Sequence, residues 1–332
     1  MVRHNLITDV PGISVGHAGD LKLGSGTSVV LCDPPAVGAV DVRGGGPGTR
    51  ETDLLDPAAS VDLVNAVVLS GGSAFGLDAA GGVMSWLAAQ GHGFAVGGAR
   101  VPIVPAAILF DLLNGGDKDW GEAPPYRAFG HAAAAAANDG PFPLGTVGAG
   151  IGAQCAGVKG GLGSASMVTA SGHVVGALVA VNAVGSPLIG AGPHFRAAPY
   201  ERNGEFGGLG LPPVWPEEAF APQMKGAAPR TSTTIGIIAT DAILTGARAR
   251  RLAVMAQDGL ALSLFPIHTP LDGDCVFALS TGRAPLEGGF RAEALLGAAA
   301  AHVMARAVAR AVHAATTLPV PNAQPAWRDL FT

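Results

Sequence analysis

The chain has 332 residues, of which 48% are hydrophobic and only 14% are charged, with a net charge of −5 and a pI near 6.0. This charge balance argues against a nucleic-acid partner, which would need a basic surface, and no uninterrupted apolar run reaches the roughly 18 residues of a membrane helix. A mean hydropathy of +0.38 with so few charges suggests that other subunits cover part of the surface, so we expect a homo-oligomer.

The predicted elements are, in chain order, strands at residues 27–32 and 65–70, helices at 74–90 and 126–138, strands at 174–184 and 234–239, a helix from the cap Thr245 to about Gln257, and a terminal helix at 291–315. The two later strands are apolar throughout, which indicates that both of their faces are covered. Strands of this kind between helices predict a layered α/β sandwich.

The terminal helix carries a polar stripe, because His302, Arg306 and Arg310 recur every four residues. We expect this stripe to mark the exposed side of the helix.

Three cysteines, Cys32, Cys155 and Cys275, are far apart and odd in number. They fit neither a disulfide framework nor zinc-ligand spacing, so we expect reduced, buried thiols in a cytoplasmic protein. The first residues lack the apolar segment of a signal peptide. Nine histidines without metal-ligand spacing predict no metal site.

Four consecutive hydroxyl residues, Thr231 to Thr234, open the strand at 234–239 and follow an irregular stretch, residues 195–230, rich in Pro, Gly and charge. A strand needs no such run, but a chain that cuts itself to free an N-terminal nucleophile does. If the peptide bond before Thr233 breaks, Thr233 gains a free α-amine beside its hydroxyl, which is the activated pair of N-terminal-nucleophile enzymes.

Two further positions have a functional and a structural interpretation. Asp272-Gly273-Asp274 is an ordinary turn signal, but carboxylates at i and i+2 of an extended chain share a face. Such a pair splits its pKa values and could orient and deprotonate a hydroxyl nucleophile. Asn182 lies inside an apolar strand, where its amide either makes a structural hydrogen bond or donates to an oxyanion.

The glycine clusters carry weaker signals. Residues 148–153 match the dinucleotide pattern G-x-G-x-x-A, but a turn precedes them, no helix pattern follows, and no acidic residue lies about 20 positions on. The clusters at 44–48 and 71–76 lack the lysine of a P-loop, so close backbone packing is favoured. We expect no cofactor.

Seven motifs, taken together, carry a resemblance to a known family: residues 5–12, 15–17, 41–45, 69–77, 101–105, 147–150 and 233–241. The chain resembles the self-cleaving L-aminopeptidase/D-esterase and β-aminopeptidase family, which is related to the nylon-oligomer hydrolase. The resemblance implies a single four-layer α/β/β/α sandwich of N-terminal-nucleophile-hydrolase type. It also implies a precursor that cuts itself into an α chain, residues 1–232, and a β chain, residues 233–332, assembled as a tetramer of αβ units.

By position, the resemblance assigns the nucleophile to Thr233, an oxyanion donor to Asn182, and the acidic pair that supports the nucleophile to Asp272 and Asp274. Ser232 stands where family members commonly have Asn or Gly, which leaves Ser232 and Thr234 as lesser candidates.

Two further positions are assigned to substrate binding. Phe110 takes the place of a tyrosine found near the active site of several relatives. Lys159 lies two residues after Gly157, the position nearest a lysine of the nylon hydrolase.

The predicted function is an aminopeptidase that cleaves N-terminal residues from small peptides, amides or esters. Either the amine of Thr233 or the Asp pair would accept the proton, and the preference among L-, D- and β-residues or synthetic amides stays open. The alternative is an inactive family member that binds small molecules, favoured by Phe110 and Ser232.

Overall fold

The computed structural model describes residues 4–226 and 232–332, so Thr231 and residues 227–230 of the irregular stretch lie outside the described residues. Its helices are α1 (Ala79–Ala89), α2 (Tyr126–Ala135), α3 (Gly246–Ala261), α4 (Gly289–His313) and α5 (Trp327–Phe331). Its strands are β1 (Ile13–Asp20), β2 (Ser25–Val42), β3 (Thr49–Arg50), β4 (Leu63–Ser70), β5 (Phe94–Val96), β6 (Ala99–Val101), β7 (Ala106–Ile108), β8 (Gln154–Cys155), β9 (Val158–Lys159), β10 (Gly161–Val168), β11 (Val174–Asn182), β12 (Thr233–Ala242) and β13 (Cys275–Ala284).

Nine strands form a mixed sheet in the order β10-β11-β12-β13-β2-β4-β7-β3, with β1 added along β2. The long strand β2 connects the two halves of this sheet. Its first part pairs with β1 and β4, its residues 37–42 pair with β13, and its register with β4 shifts between Leu31 and Ala36. The sheet thereby folds over on itself into two layers.

Three separate cores show how the layers stack. The central core, between the two sheet layers, includes Val30, Leu69, Leu178, Ile237 and Phe277. A second core lies between β10–β13 and helices α3 and α4, and a third lies between β2, β4 and helices α1 and α2. Adjacent residues of β12 alternate between cores, with Ile237 in the central one and Ile238 under the helices. The order helix, sheet, sheet, helix confirms the predicted four-layer α/β/β/α sandwich.

Small residues allow α4 to lie directly on the sheet. A Cβ atom on Gly163 of β10 would lie 1.9 Å from the carbonyl oxygen of Ala307, so only glycine fits at this crossing. By length and composition α4 could cross a membrane, but 78% of its most apolar window is buried inside the fold, as in a core helix.

The helices differ from their predicted bounds mainly at the ends. The predicted helix at 74–90 opens with a 3-10 turn, Ser73–Asp78, before α1 begins, and α2 ends three residues before its predicted end. Thr245 caps α3 as predicted, because its side chain accepts the N–H of Arg248. The helix then continues four residues past Gln257.

The polar stripe on α4 is exposed only at His302, so the prediction is wrong for the other two residues. Arg306 is only 2% exposed and Arg310 is half-buried. Both arginines lie against Glu205, which comes from the irregular stretch before β12. The period of the stripe was correct, but another segment covers that face.

Arg306 and Glu205 form a buried bidentate ion pair, with Nε–Oε1 and Nη2–Oε2 distances of 2.6 and 2.9 Å. Arg306 also donates to the Ser166 carbonyl oxygen at 2.9 Å and to Oδ1 of Asn5 at 2.8 Å. Burial opposes ionisation of Glu205, but the hydrogen bonds and charge of Arg306 outweigh it and hold the pKa of Glu205 below its ordinary value. Arg306 therefore fastens three segments, at Asn5, Ser166 and Glu205, to α4.

Replacing Arg306 by methionine should lower the free energy of unfolding by about 3–5 kcal/mol, because Glu205 is left buried without its charge partner. Urea denaturation measures the change. Arg291→Met, at an exposed position of the same helix, is the control and should change stability by less than about 0.5 kcal/mol.

A folded-state pKa below the unfolded value means that the pair stabilises the protein above the unfolded pKa of Glu205. This stabilisation is lost as the pH falls through the folded pKa. The stability gap between wild type and Arg306→Met should therefore narrow below about pH 4. Equal stabilities for the two arginine variants at neutral pH would contradict this account.

Candidate active site

Four residues singled out in the sequence meet where strand ends come together. Thr233 is the first residue of β12, and its register partner is Asn182, the last residue of β11. On the opposite edge of the strand, Ser232 forms a parallel bridge with Asp272, in the turn before β13. Thr233 and Asn182 are 4% and 1% exposed, and Asp272 and Asp274 are fully buried.

The hydroxyl of Thr233 lies against the carbonyl group of the preceding residue. Its Oγ1 donates a hydrogen bond of 2.6 Å to the carbonyl oxygen of Ser232. Because a carbonyl bond is about 1.23 Å long, the hydroxyl oxygen lies within about 3.8 Å of the carbonyl carbon. The N–H of Gly273 donates to the same carbonyl oxygen at 3.0 Å. This peptide bond thus has a hydroxyl beside its carbon and a backbone donor on its oxygen.

Position 273 requires glycine because the turn is packed against its surroundings. A Cβ atom there would lie 2.6 Å from the carbonyl oxygen of Gly46 and 2.9 Å from Oγ1 of Thr233. The N–H groups of Gly46 and Gly44 donate to the carbonyl oxygens of Asp272 and Asp274 at 2.8 and 3.1 Å. The glycine cluster at 44–48 therefore supports the turn by close packing.

The Asp272 carboxylate is held by its own turn and by the end of β11. It accepts the N–H and the hydroxyl of Thr269 at 2.9 and 2.7 Å, and the N–H of Val184 at 3.2 Å. Burial raises the pKa of Asp272, and the negative charge of Asp274 raises it further. Asp272 can therefore both hold the turn before β13 and take part in the chemistry of the site.

The Asp274 carboxylate fixes the backbone just after the candidate nucleophile. Its Oδ1 accepts the N–H of Thr234 at 2.6 Å. Its Oδ2 accepts the N–H of His268 at 3.1 Å and lies 2.9 Å from Nδ1 of the same histidine. Asp274 therefore ties the start of β12 to the turn before β13.

The buried amide of Asn182 has partners on both sides. Its Oδ1 accepts the N–H of Gln154 and a hydrogen bond from Nζ of Lys225, both at 2.9 Å. Its Nδ2 donates to the carbonyl oxygen of Phe110 at 3.1 Å. Phe110 thus contacts the site through its backbone carbonyl group. This contact does not need a side-chain hydroxyl at position 110.

Lys159 is fully buried, and its ammonium donates to the carbonyl oxygens of Gly150, Ala153 and Gly160 at 2.9, 2.8 and 2.9 Å. Burial lowers the pKa of Lys159 to about 7. In this arrangement Lys159 holds its own loop together, and its assignment to substrate binding stays a prediction.

Sequence reasoning missed three residues of the site. Lys225 lies in the irregular stretch, where no pattern marks it, and His268 lies in a loop without metal-ligand spacing. Gly273 does have a signal, since it separates the two aspartates, but the pattern points to the acidic side chains and not to the backbone N–H between them.

The segment that matched the dinucleotide pattern forms a 3-10 turn, Gly148–Gly150, followed by the hairpin of β8 and β9. It has no following helix whose N-terminus could receive a pyrophosphate. Among residues 4–226 and 232–332, no group of three or more His, Cys, Asp or Glu side chains is arranged to hold a metal ion.

Comparison with known proteins shows the family of this chain. The model of peptidase family S58 matches residues 5–325. The chain belongs to peptidase family S58. An uncharacterized aminopeptidase of Mycobacterium bovis is 46% identical over 98% of each chain. A 6-aminohexanoate-oligomer endohydrolase of Kocuria sp. is 30% identical over 84% of this chain and 76% of that protein.

Two solved structures share the fold. An L-aminopeptidase D-Ala-esterase/amidase of Ochrobactrum anthropi, described as a variant of the Ntn hydrolase fold, has a TM-score of 0.70 at 20% identity, over 96% of this chain and 88% of that chain. A β-aminopeptidase of Burkholderia sp. has a TM-score of 0.68 at 24% identity, over 99% and 92% of the two chains. The resemblance is confirmed, and the protein is a hydrolase of peptide or amide bonds with an Ntn hydrolase fold.

Gly273→Ala should reduce hydrolysis of an amino-acyl p-nitroanilide by up to about 100-fold. The new methyl group would lie 2.9 Å from Oγ1 of Thr233, the candidate nucleophile, and a misplacement of about 1 Å has an effect of that size. Gly98→Ala is the matched control, since a Cβ atom there meets nothing within 4 Å. Comparable activity in the two variants would show that the turn yields to the methyl group and that Gly273 is dispensable.

Proposed function

We propose that this S58 hydrolase cuts itself between Ser232 and Thr233 and then works as an aminopeptidase with Thr233 as its nucleophile. The contact that carries the proposal is the 2.6 Å hydrogen bond from Oγ1 of Thr233 to the Ser232 carbonyl oxygen. Thr234 is a poorer candidate, because its side chain alternates to the other face of β12. Ser232 is also a poorer candidate for the nucleophile, because it lies before the strand and its backbone bridges to Asp272.

In the self-cleavage step, Oγ1 of Thr233 attacks the carbonyl carbon of Ser232. The carbonyl oxygen takes the negative charge and receives the N–H of Gly273, which is already 3.0 Å away. The C–N bond then breaks, the hydroxyl proton passes to the leaving nitrogen, and an ester joins Ser232 to the Thr233 side chain. Water hydrolyses this ester, which leaves a carboxylate on Ser232 and a free amine on Thr233.

After cleavage the amine of Thr233 is the favoured proton acceptor. An α-amine has an ordinary pKa of about 7.7–8.0, so a useful fraction is neutral near physiological pH. The carboxylates of Asp272 and Asp274 already accept hydrogen bonds from Thr269, Val184, Thr234 and His268. This engagement favours a role for the Asp pair in orienting the nucleophile rather than in taking its proton.

The proposed substrates are small peptides, amides or esters with a free amino group next to the bond that is cut. Relatives named as aminopeptidases support this class, and the 30% identical relative is named for 6-aminohexanoate oligomers, which are synthetic amides. A panel of L-, D- and β-amino-acyl p-nitroanilides together with a 6-aminohexanoate oligomer would rank these possibilities.

The alternative of an inactive binding protein is not favoured. It was suggested by the missing hydroxyl at Phe110 and by Ser232, but Asn182 contacts the Phe110 backbone and Gly273 contacts the Ser232 backbone. Neither contact depends on the side chain of Phe110 or of Ser232. Assembly as a homotetramer and a cytoplasmic location stay predictions, and light scattering of the purified protein would check the first.

Purified protein should separate under denaturing conditions into fragments of about 23 and 10 kDa. N-terminal sequencing of the smaller one should begin Thr-Thr-Ile-Gly, and Thr233→Ala should stay intact. Thr234→Ala is the control and should be cut at the same bond. An intact wild-type chain, or a new N-terminus at another residue, would exclude Thr233.

Asn182→Ala should lower kcat about 10²- to 10³-fold if the amide donates to the developing oxyanion. The rate is measured with the best p-nitroanilide of the panel and is divided by the amount of cut protein. Gln154→Ala keeps the backbone N–H that Asn182 uses and serves as a control for local packing. Turnover near the wild-type level in Asn182→Ala would remove this residue from the mechanism.

A further inference from the structure

We infer that Lys225 is a positioning residue of this site, whose ammonium holds the amide of Asn182 in the orientation that the reaction at Thr233 uses. This inference rests on the proposed function, because the orientation of Asn182 matters for catalysis only if Thr233 is the nucleophile. Lys225 itself is not proposed to touch the substrate.

The contacts of Lys225 all lie at the end of β11 and beside it. Its Nζ donates to Oδ1 of Asn182 at 2.9 Å, to the carbonyl oxygen of Gln154 at 3.1 Å and to that of Asn182 at 3.4 Å. Its backbone N–H donates to the carbonyl oxygen of Val184 at 2.7 Å. Both the backbone and the side chain of Lys225 are thus fixed next to the register partner of Thr233.

The orientation of an asparagine amide is decided by its partners, because its oxygen and nitrogen ends have nearly the same shape. At Asn182 two donors, the N–H of Gln154 and the ammonium of Lys225, converge on one end. Neither can accept a hydrogen bond from an NH₂ group, so a flipped amide would place donors against donors. Lys225 therefore directs the NH₂ end of Asn182 toward the side of Phe110.

The positive charge also acts on the strength of the amide as a donor. A charge-assisted hydrogen bond to Oδ1 is stronger than a neutral one, and it draws electron density from the nitrogen end of the same amide. The N–H groups of Asn182 are thereby made better donors while Lys225 is protonated.

The protonation of Lys225 depends on its surroundings. Burial lowers its pKa to about 8, while the acidic groups of Cys155, Asp272 and Asp111 oppose the fall. The neighbouring Lys159 is a further titratable group, and its own pKa is about 7. The ammonium form of Lys225 is therefore present below about pH 8 and is lost above it.

The first test compares Lys225→Met with Lys118→Met. Lys118 is a matched control, because its Nζ also donates to backbone carbonyls, those of Leu23 and Gly24, and to Oδ1 of an asparagine, Asn114, at 3.1 Å. Lys225→Met should lower kcat for L-alanyl or β-alanyl p-nitroanilide about 10- to 100-fold, with KM changed less than about 3-fold. Lys118→Met should leave both within about 3-fold. Equal kcat values for the two variants would overturn the inference.

The second test uses the pH profile of kcat. The wild-type rate should rise as the amine of Thr233 loses its proton and fall as Lys225 loses its own. Lys225→Arg keeps its charge up to about pH 12, so its falling limb should move out of range while the rising limb stays in place. A falling limb at the same pH in both proteins would overturn the inference. If Lys225→Met remains uncut, the rate of self-cleavage is measured against pH in wild type and in Lys225→Arg. Only the fall at high pH is compared there, because the amine of Thr233 does not exist before the cut.

A double variant separates action through Asn182 from general packing. Adding Lys225→Met to Asn182→Ala should change kcat less than about 3-fold, because the group through which Lys225 acts is already gone. If Lys225→Met lowers kcat as much in the Asn182→Ala background as it does in wild type, Lys225 does not act through Asn182. Failure of the proposed function is distinguishable, because wild type itself would then be uncut and inactive, which overturns both proposals.

Discussion

The site depends on one constraint, which is that the start of β12 holds a hydroxyl and the carbonyl before it in fixed relation. β12 is paired with β11 on one side and β13 on the other, so Thr233 cannot shift relative to Asn182. The Ser232 carbonyl oxygen is held by the N–H of Gly273. Because backbone atoms make these contacts, the geometry is indifferent to the side chain at position 232. Ser232, at the position where family members commonly have Asn or Gly, contacts the turn through its carbonyl group.

The abundance of glycine follows from the same constraint. A sheet that folds over on itself, with helices on both sides, requires backbones to approach more closely than side chains allow. At Gly44 a Cβ atom would lie 2.2 Å from the nitrogen of Asp274, and at Gly163 it would lie 1.9 Å from a carbonyl oxygen of α4. The first contact brings the turn that carries the aspartates close to the start of β12, and the second lets α4 lie directly on the sheet.

A layered α/β sandwich could be predicted because the strands at 174–184 and 234–239 are apolar, which indicates that both of their faces are covered. The order of the four layers came from the resemblance. The failure at Arg306 has a physical cause, since periodicity shows which residues share a face but not what covers it. Its partner, Glu205, lies 101 residues away in a stretch without a pattern. The same holds for Lys225. Thr233, Asn182 and the two aspartates were each marked by a residue pattern, and the resemblance assigned them roles in one site.

A cut between Ser232 and Thr233 would leave the two fragments firmly joined. The smaller fragment would contribute β12 and β13 to the middle of the sheet, with β11 and β2 of the larger fragment on either side. The central core and the core under α3 and α4 each contain side chains from both fragments, so separation would expose both. Arg306, from the smaller fragment, would still bind Glu205 of the larger one. The new ends would therefore gain freedom only locally, which allows an amine to form at Thr233 while the strands that position it stay in place.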